Sequence, residues 1–442
     1  MTAAAVAEVP FAVLRRQISD RVTVMVRPDP TLGFVVLDMW HCAGSIHDPA
    51  GLSGLAHVVE HVVHSAGGDA DSRYRGDSAN ATTTFERTNY VDTGPPGALP
   101  ELLAHAVDRL RPEGLGTGDR TGRTLDAHRR VVLEEIRQRE EPARFGSGPR
   151  RSLRLLFGAD HPYGKPPLGR PEEVSAITAA DVEEFLDHCY GNARLVVSVV
   201  GSVDSGHALD LAERALAGLP SPSRPSLPGE DASSAPPAAP GGRRREDVQE
   251  GQPTGVLRYT FALPSQHTPL AAAGEVTMAL LAGAPWSVLG ADLVARHHVL
   301  GASAQHVPNG AGPSLGLLKL SVPAGTDVDL LDRAVTERLD RLAHTGPEED
   351  VLTAAKARRA KDYLGVLSRA RACAEELCRG ESARSPGTAG TPEDAGPRPT
   401  GRLADLRRVS AQQTALIAGR HLVDPAVVVF HAEHLRSTAW IV

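Results

Sequence analysis

Apolar and polar positions alternate along residues 22–27 and again along 34–42, with Pro28, Asp29, Pro30 and Gly33 between them. The chain therefore opens on two strands joined by a turn. The period then changes. Leu55, Val58, Val59, Val62 and Val63 fall at the spacing of one helical face, behind the glycine-flanked turn 51–54 with Ser53 as candidate N-cap. Residues 82–92 alternate once more and predict a strand. Helical patterns cover 99–110, 124–140 and 178–189, and the β-branched run 195–200 ends at Gly201. Residues 219–253, rich in Pro, Ala, Ser and Gly, break this rhythm and read as a linker. Beyond them the pattern predicts strands at 256–263 and 315–322 and helices at 328–344 and 348–379, with a second low-complexity stretch at 380–402.

The two halves repeat each other. The amphipathic helix of residues 177–190 runs into the apolar strand 195–200, and residues 409–422 run into 426–430 in the same way. A repeat of that size predicts two homologous copies of one α+β fold. The expected division is residues 1–218, a linker at 219–253, and residues 254–442.

Composition narrows the classes. With 442 residues, 41% hydrophobic and 23% charged, the chain can bury two ordinary cores. A net charge of −7 disfavours nucleic acid as a partner. Cys42, Cys189, Cys373 and Cys378 are too scattered for a disulfide framework and read as reduced thiols. Residues 1–8 lack a basic segment followed by a long apolar one, and no apolar run reaches bilayer-spanning length. The expectation is a cytoplasmic protein with no membrane association.

The chemistry sits in the first helix. His57, Glu60 and His61 form an H-x-x-E-H pattern. On a helix the two imidazoles share a face and can reach one metal, with Glu60 beside them as a general base toward water. Two histidines leave a catalytic zinc short of the three protein ligands usual for it. Glu134 and Glu135, on the helix 124–140, are both candidates for the third. Glu135 neighbours Val131 and Val132 and borders the apolar face, whereas Glu134 neighbours Arg130, Arg137 and Gln138, so burial favours Glu135. His64 is a further option along the motif helix.

Several stretches together resemble the insulinase/pitrilysin superfamily of zinc metallopeptidases, especially its short bacterial members and the mitochondrial processing peptidases. They are residues 22–30 with 39–45, the motif helix 54–61, the strand 80–90, the helix 130–139, His161-Pro-Tyr163 and residues 201–204. The resemblance covers nearly all of residues 12–218 and is mostly architectural beyond. It implies zinc held by His57, His61 and Glu135, Glu60 as general base, and Asn80 and Ala81 on an edge strand that receives a peptide backbone. Relatives that act alone also carry an Arg and a Tyr, seven residues apart, in the second domain. The corresponding positions here are Ala295 and Ala302, and Arg296 is one residue out of register. The resemblance therefore implies the catalytic half of a heterodimer whose homologous partner supplies the Arg/Tyr pair. The expected activity is zinc-dependent endopeptidase action on flexible peptides, extending to leader removal from a biosynthetic precursor. The alternative is a non-catalytic scaffold subunit of the same fold. His128 is a second departure, where relatives carry an acidic or amide residue.

Overall fold

The computed structural model describes residues 12–66, 80–110, 119–140, 146–219, 242–252, 254–290, 293, 299–382 and 399–432. The chain divides into two compact units, each assembled from three stretches: 1–134, 167–234 and 362–404 in the first, and 135–166, 235–361 and 405–442 in the second. A division of residues 1–218 from 254–442 by sequence order does not describe these units.

The first unit holds a six-stranded mixed sheet of β1 (Leu14–Gln17), β2 (Val22–Pro28), β3 (Val35–His41), β4 (Asn80–Thr83), β5 (Thr88–Gly94) and β6 (Leu195–Gly201), in the order β1-β2-β6-β3-β5-β4. Strand β3 is buried along its whole length, so its alternate residues feed two cores. Val35, Leu37 and Met39 pack with the helices Leu99–Asp108 and Ser205–Leu216. Over Asp38 and Ser198 lies the helix Ala370–Ser382, whose Ala374 carbonyl accepts from Ser198 Oγ at 2.9 Å. Gly201 ends β6 at φ 145, and a Cβ there would lie 2.3 Å from the Phe34 carbonyl. The stretch 82–92, expected as one strand, is instead the hairpin β4–β5. Thr84 N–H donates to the Arg87 carbonyl at 2.8 Å and turns the chain between the paired Thr83 and Thr88.

The second unit holds a five-stranded sheet of β7 (Arg244–Gln252), β8 (Thr254–Leu263), β9 (Gly301–Val307), β10 (Ser314–Pro323) and β11 (Ala426–Ala432), in the order β7-β11-β8-β10-β9. That order reproduces β2-β6-β3-β5-β4, with the parallel pair β7–β11 matching β2–β6 and the remaining pairs antiparallel in both. The fold is α+β, with two mixed sheets of one topology. Strand β7 corrects the expected linker, since residues 244–252 pair with β11; residues 220–241 of that stretch lie outside the described residues.

Each unit also takes a helix from the opposite half of the sequence. Ala370–Ser382, from the second half, belongs to the first unit, where Arg15 donates to Glu381 at 2.8 Å. Gly148–Phe157, from the first half, belongs to the second unit, where Arg151 pairs with Glu246 and Arg244 Nη1 donates to the Leu155 carbonyl at 3.0 Å. Of the low-complexity stretch 380–402, residues 380–382 end the first of these helices and 399–402 open the helix Pro399–Arg408, while 383–398 lie outside the described residues. All four cysteines are free thiols. Among the described residues no helix is long and apolar enough to cross a membrane.

Candidate metal centre

The motif helix is Leu55–Ala66, packed against β4 and β5 of the first unit. Its apolar stripe Leu55, Val58, Val59, Val62 and Val63 is buried, as the sequence pattern predicts. Its entry is fixed by a residue that local reading passed over. Asp48, itself buried, accepts from Gly54 N–H at 2.7 Å through Oδ2 and from Ala56 N–H at 2.8 Å through Oδ1. Ser53, the expected N-cap, instead accepts from Arg170 N–H at 3.1 Å. An anionic cap satisfies the orphan donors and favours the positive end of the helix dipole. Gly54 takes φ 94 just before the helix, and a Cβ there would meet Gly169 Cα at 2.8 Å.

His57 and His61 lie one turn apart, and their Nε2 atoms are 3.3 Å from each other. A tetrahedral ion with metal–nitrogen bonds of about 2.0–2.1 Å requires two nitrogen ligands to sit about 3.3–3.4 Å apart, so the pair fits one divalent metal. One ligand atom from each of His57, Glu60 and His61 lies within 4.8 Å of the others. His57 and Glu60 are each 7% exposed and His61 is half-buried. Burial, then the neighbouring His64, pushes the His61 pKa down, and burial, then His61, does the same for His128. Both shifts favour the neutral imidazole that a metal requires.

Glu60 is held from the neighbouring strand. Thr83 Oγ1, on β4, donates to Glu60 Oε2 at 2.5 Å. Behind it Tyr90 and Tyr190 share a hydroxyl–hydroxyl bond of 2.9 Å. Burial raises the pKa of both phenols, and the Glu60 charge adds to it, so they remain neutral donors. Sequence reading missed Thr83, although its signal was present: on a strand carrying Ala81, residue 83 shares its face.

Of the third-ligand candidates, neither His64 nor the two glutamates belong to the three-residue cluster. His64 is exposed. Glu134 and Glu135 are both half-buried on the helix Asp119–Glu140, and Glu135 is the first residue of the second compact unit. Burial raises the Glu135 carboxyl pKa, opposed by Arg139, 3.8 Å away. Of the two valines used to place it, Val132 is fully buried but Val131 is exposed. His128 lies beside the motif, its ring centroid 6.4 Å from that of His61 and its Nε2 3.2 Å from Ser65 Oγ.

Asn80 and Ala81 stand on β4, paired with Val91 and Tyr90. β4 is the last strand of its sheet, and among the described residues its outer edge carries no further strand. Ala302 lies on β9, paired with Leu320. Ala295 and Arg296 lie outside the described residues.

Residues 23–141 match the family model described as insulinase (peptidase family M16), and residues 176–359 match the one described as peptidase M16 inactive domain. An uncharacterized zinc protease of Mycobacterium leprae is 31% identical over 182 residues, covering 40% of this chain and 39% of that protein. A probable mitochondrial-processing peptidase subunit beta of Schizosaccharomyces pombe is 25% identical over 182 residues, covering 39% of this chain and 38% of that protein. The matched region thus spans about two-fifths of the length of these curated relatives. The crystal structure of a protease from Helicobacter pylori superimposes with a TM-score of 0.80 at 18% identity, covering 95% of this chain and 100% of that one. With its two domain models matched in order along one chain, and the fold shared throughout, this protein belongs to the insulinase (peptidase M16) family.

Proposed function

We propose that this chain is the catalytic subunit of a zinc-dependent endopeptidase. The observation that carries the reading is the 3.3 Å Nε2–Nε2 pair of His57 and His61 with a buried Glu60 beside it. Zinc would be held by His57, His61 and, from the helix Asp119–Glu140, Glu135. Bound there, it would supply Lewis acidity toward a peptide carbonyl and toward water. Glu60 takes the proton of the attacking water on a carboxylate oxygen and passes it to the amine nitrogen as the C–N bond breaks. Asn80 and Ala81 receive the substrate backbone as an added strand on the open edge of β4, a mode that admits only extended, flexible peptides. Leader removal from a biosynthetic precursor in the cytoplasm is the role this specificity suits.

The partner follows from what the second sheet lacks. Ala302 stands on β9, and by the resemblance it takes one of the two positions where self-sufficient relatives carry Arg and Tyr. A homologous partner subunit with that pair would complete substrate binding; the matched processing peptidase is itself named as a subunit beta. The same alanine favours the second reading, a non-catalytic scaffold. The purified chain separates the two. A catalytic subunit binds about one zinc, measured by elemental analysis, and loses it on chelation. Glu60→Gln in the complex with the partner then lowers peptide cleavage by at least about 100-fold while retaining the metal. A chain without zinc, or a fully active Glu60→Gln complex, overturns the proposal.

A further inference from the structure

We propose that Thr83 is a positioning residue for Glu60; the inference rests on the peptidase reading above. The contact is short and directional, with Thr83 Oγ1 2.5 Å from Glu60 Oε2. The hydroxyl has one proton and two neighbouring acceptors. The other is Thr88 Oγ1, 3.3 Å away, whose own proton goes to the Ala43 carbonyl at 3.1 Å. The nearer, charged acceptor takes the Thr83 proton, since a hydrogen bond to a carboxylate is roughly twice as strong as one between neutral groups.

The scaffold behind the hydroxyl is stiff. Thr83 and Thr88 form the closing pair of the β4–β5 hairpin, and the turn beyond them is fixed by the Thr84–Arg87 bond of 2.8 Å. A β-branched side chain on a paired strand has restricted χ1 freedom. A carboxylate anchored at one oxygen by such a group keeps its second oxygen in one place, as proton transfer to and from a reacting atom requires. Thr83 shares its face of β4 with Ala81, two residues away. The four-residue strand that offers an edge to a peptide therefore also aims the base. Substrate register and base orientation are set by one element.

The test uses the zinc-loaded complex with the partner subunit and an unstructured fluorogenic peptide. Thr83→Val removes the hydroxyl at nearly constant shape. It is expected to lower kcat about 10- to 100-fold. KM should stay within about twofold. Zinc stoichiometry and chelator competition should match the wild type, and Thr83→Ser should recover most of kcat. If Thr83→Val melts early, the smaller Thr83→Ala takes its place with the same readouts. A wild-type kcat in Thr83→Val beside an inactive Glu60→Gln sinks this inference and leaves the peptidase reading intact. Loss of zinc or of folding in proportion to activity, without recovery by Ser, makes Thr83 merely structural and also overturns it. A fully active Glu60→Gln complex removes the peptidase reading itself.

Discussion

The motif helix Leu55–Ala66 and the helix Ala271–Leu281 occupy the same place in two sheets of one topology. Each follows the central strand, β3 or β8, and precedes the edge strand, β4 or β9. Each carries one buried carboxylate, Glu60 at 7% exposure and Glu275 at 2%. Their surroundings differ. Glu60 takes the neutral Thr83 hydroxyl and stands beside two imidazoles. Glu275 takes the Arg359 guanidinium, with Nε 3.0 Å from Oε1. The guanidinium cross-links the helices Ala271–Leu281 and Glu349–Leu367. A hydroxyl orients a carboxylate and leaves its proton affinity usable. On the proposed reading the fold is used twice, once as chemistry and once as support, and the contacts of Glu60 with Thr83 and of Glu275 with Arg359 mark the difference.

The largest expected effect tests the chemical member of the pair. Glu60→Gln keeps the Thr83 contact geometrically but cannot take a proton. It should reduce kcat of the assembled enzyme by roughly 10²- to 10⁴-fold, with an unchanged melting temperature and zinc content. A coincident drop in melting temperature would show that Glu60, like Glu275, is chiefly structural, and the contrast would collapse.

The next effect tests the supporting member. Arg359→Met strips the charge from beside a carboxylate that is 2% exposed. Breaking a fully buried pair from one side costs about 3–5 kcal/mol, and less is expected here because the Arg359 side chain is 29% exposed, whereas replacing both members with apolar groups is often neutral. Arg359→Met should therefore unfold at markedly lower denaturant, and Glu275→Met with Arg359→Met should recover most of the loss. Zinc binding per folded molecule should be unaffected in both. A single variant as stable as the wild type would mean that the ion pair carries no structural weight.

The parts of this comparison that sequence made legible are those coded within a few residues. The i, i+4 histidines, the apolar stripe of their helix and the β-branched run at 195–200 all stand where local periodicity puts them. What escaped depends on contacts far apart in the chain. Asp48 displaced Ser53 as the cap because its carboxylate reaches two amides across a loop. Strand β7 hid in a Pro- and Arg-rich stretch because its apolar content is low and its pairing partner, β11, lies at the other end of the chain. The spacing between the repeated stretches 177–200 and 409–430 would carry the motif onto Leu289, Asp292 and Leu293, whereas topology pairs it with Ala271–Leu281. Loops of unequal length shift the register, so an offset measured on the last helix and strand fails earlier in the domain. The corresponding helix of the second copy carries no H-x-x-E-H pattern, since Ala271–Leu281 contains no histidine. The exchange of helices between halves had no local signal at all.

The smallest effect sharpens the same contrast with a third buried carboxylate. Asp38, on β3 of the first unit, is fully buried and accepts from Trp40 Nε1 at 2.9 Å and Asn89 Nδ2 at 3.1 Å. Arg87 stacks over Trp40 at 3.9 Å, but its Nη2 donates to Glu375 at 2.8 Å. Asp38 therefore lacks the direct guanidinium bond that Glu275 has. Burial pushes its pKa up to about 7, with the Glu375 charge adding and the Arg87 charge opposing. In the unfolded chain the same group ionises near about pH 4. Between these values the folded state keeps a proton that the unfolded state releases, so this group's contribution to stability falls as pH rises from about 4 to about 7 and is flat beyond. Asp38→Asn cannot ionise but keeps an oxygen that accepts from Trp40 or Asn89. In thermal melts at constant ionic strength, the variant should gain on the wild type progressively across that window and hold its advantage at pH 8. Other titrating groups cancel in the difference. Melting curves of the two proteins that stay parallel from pH 4 to 8 would show that burial does not shift the Asp38 titration and would overturn this reading.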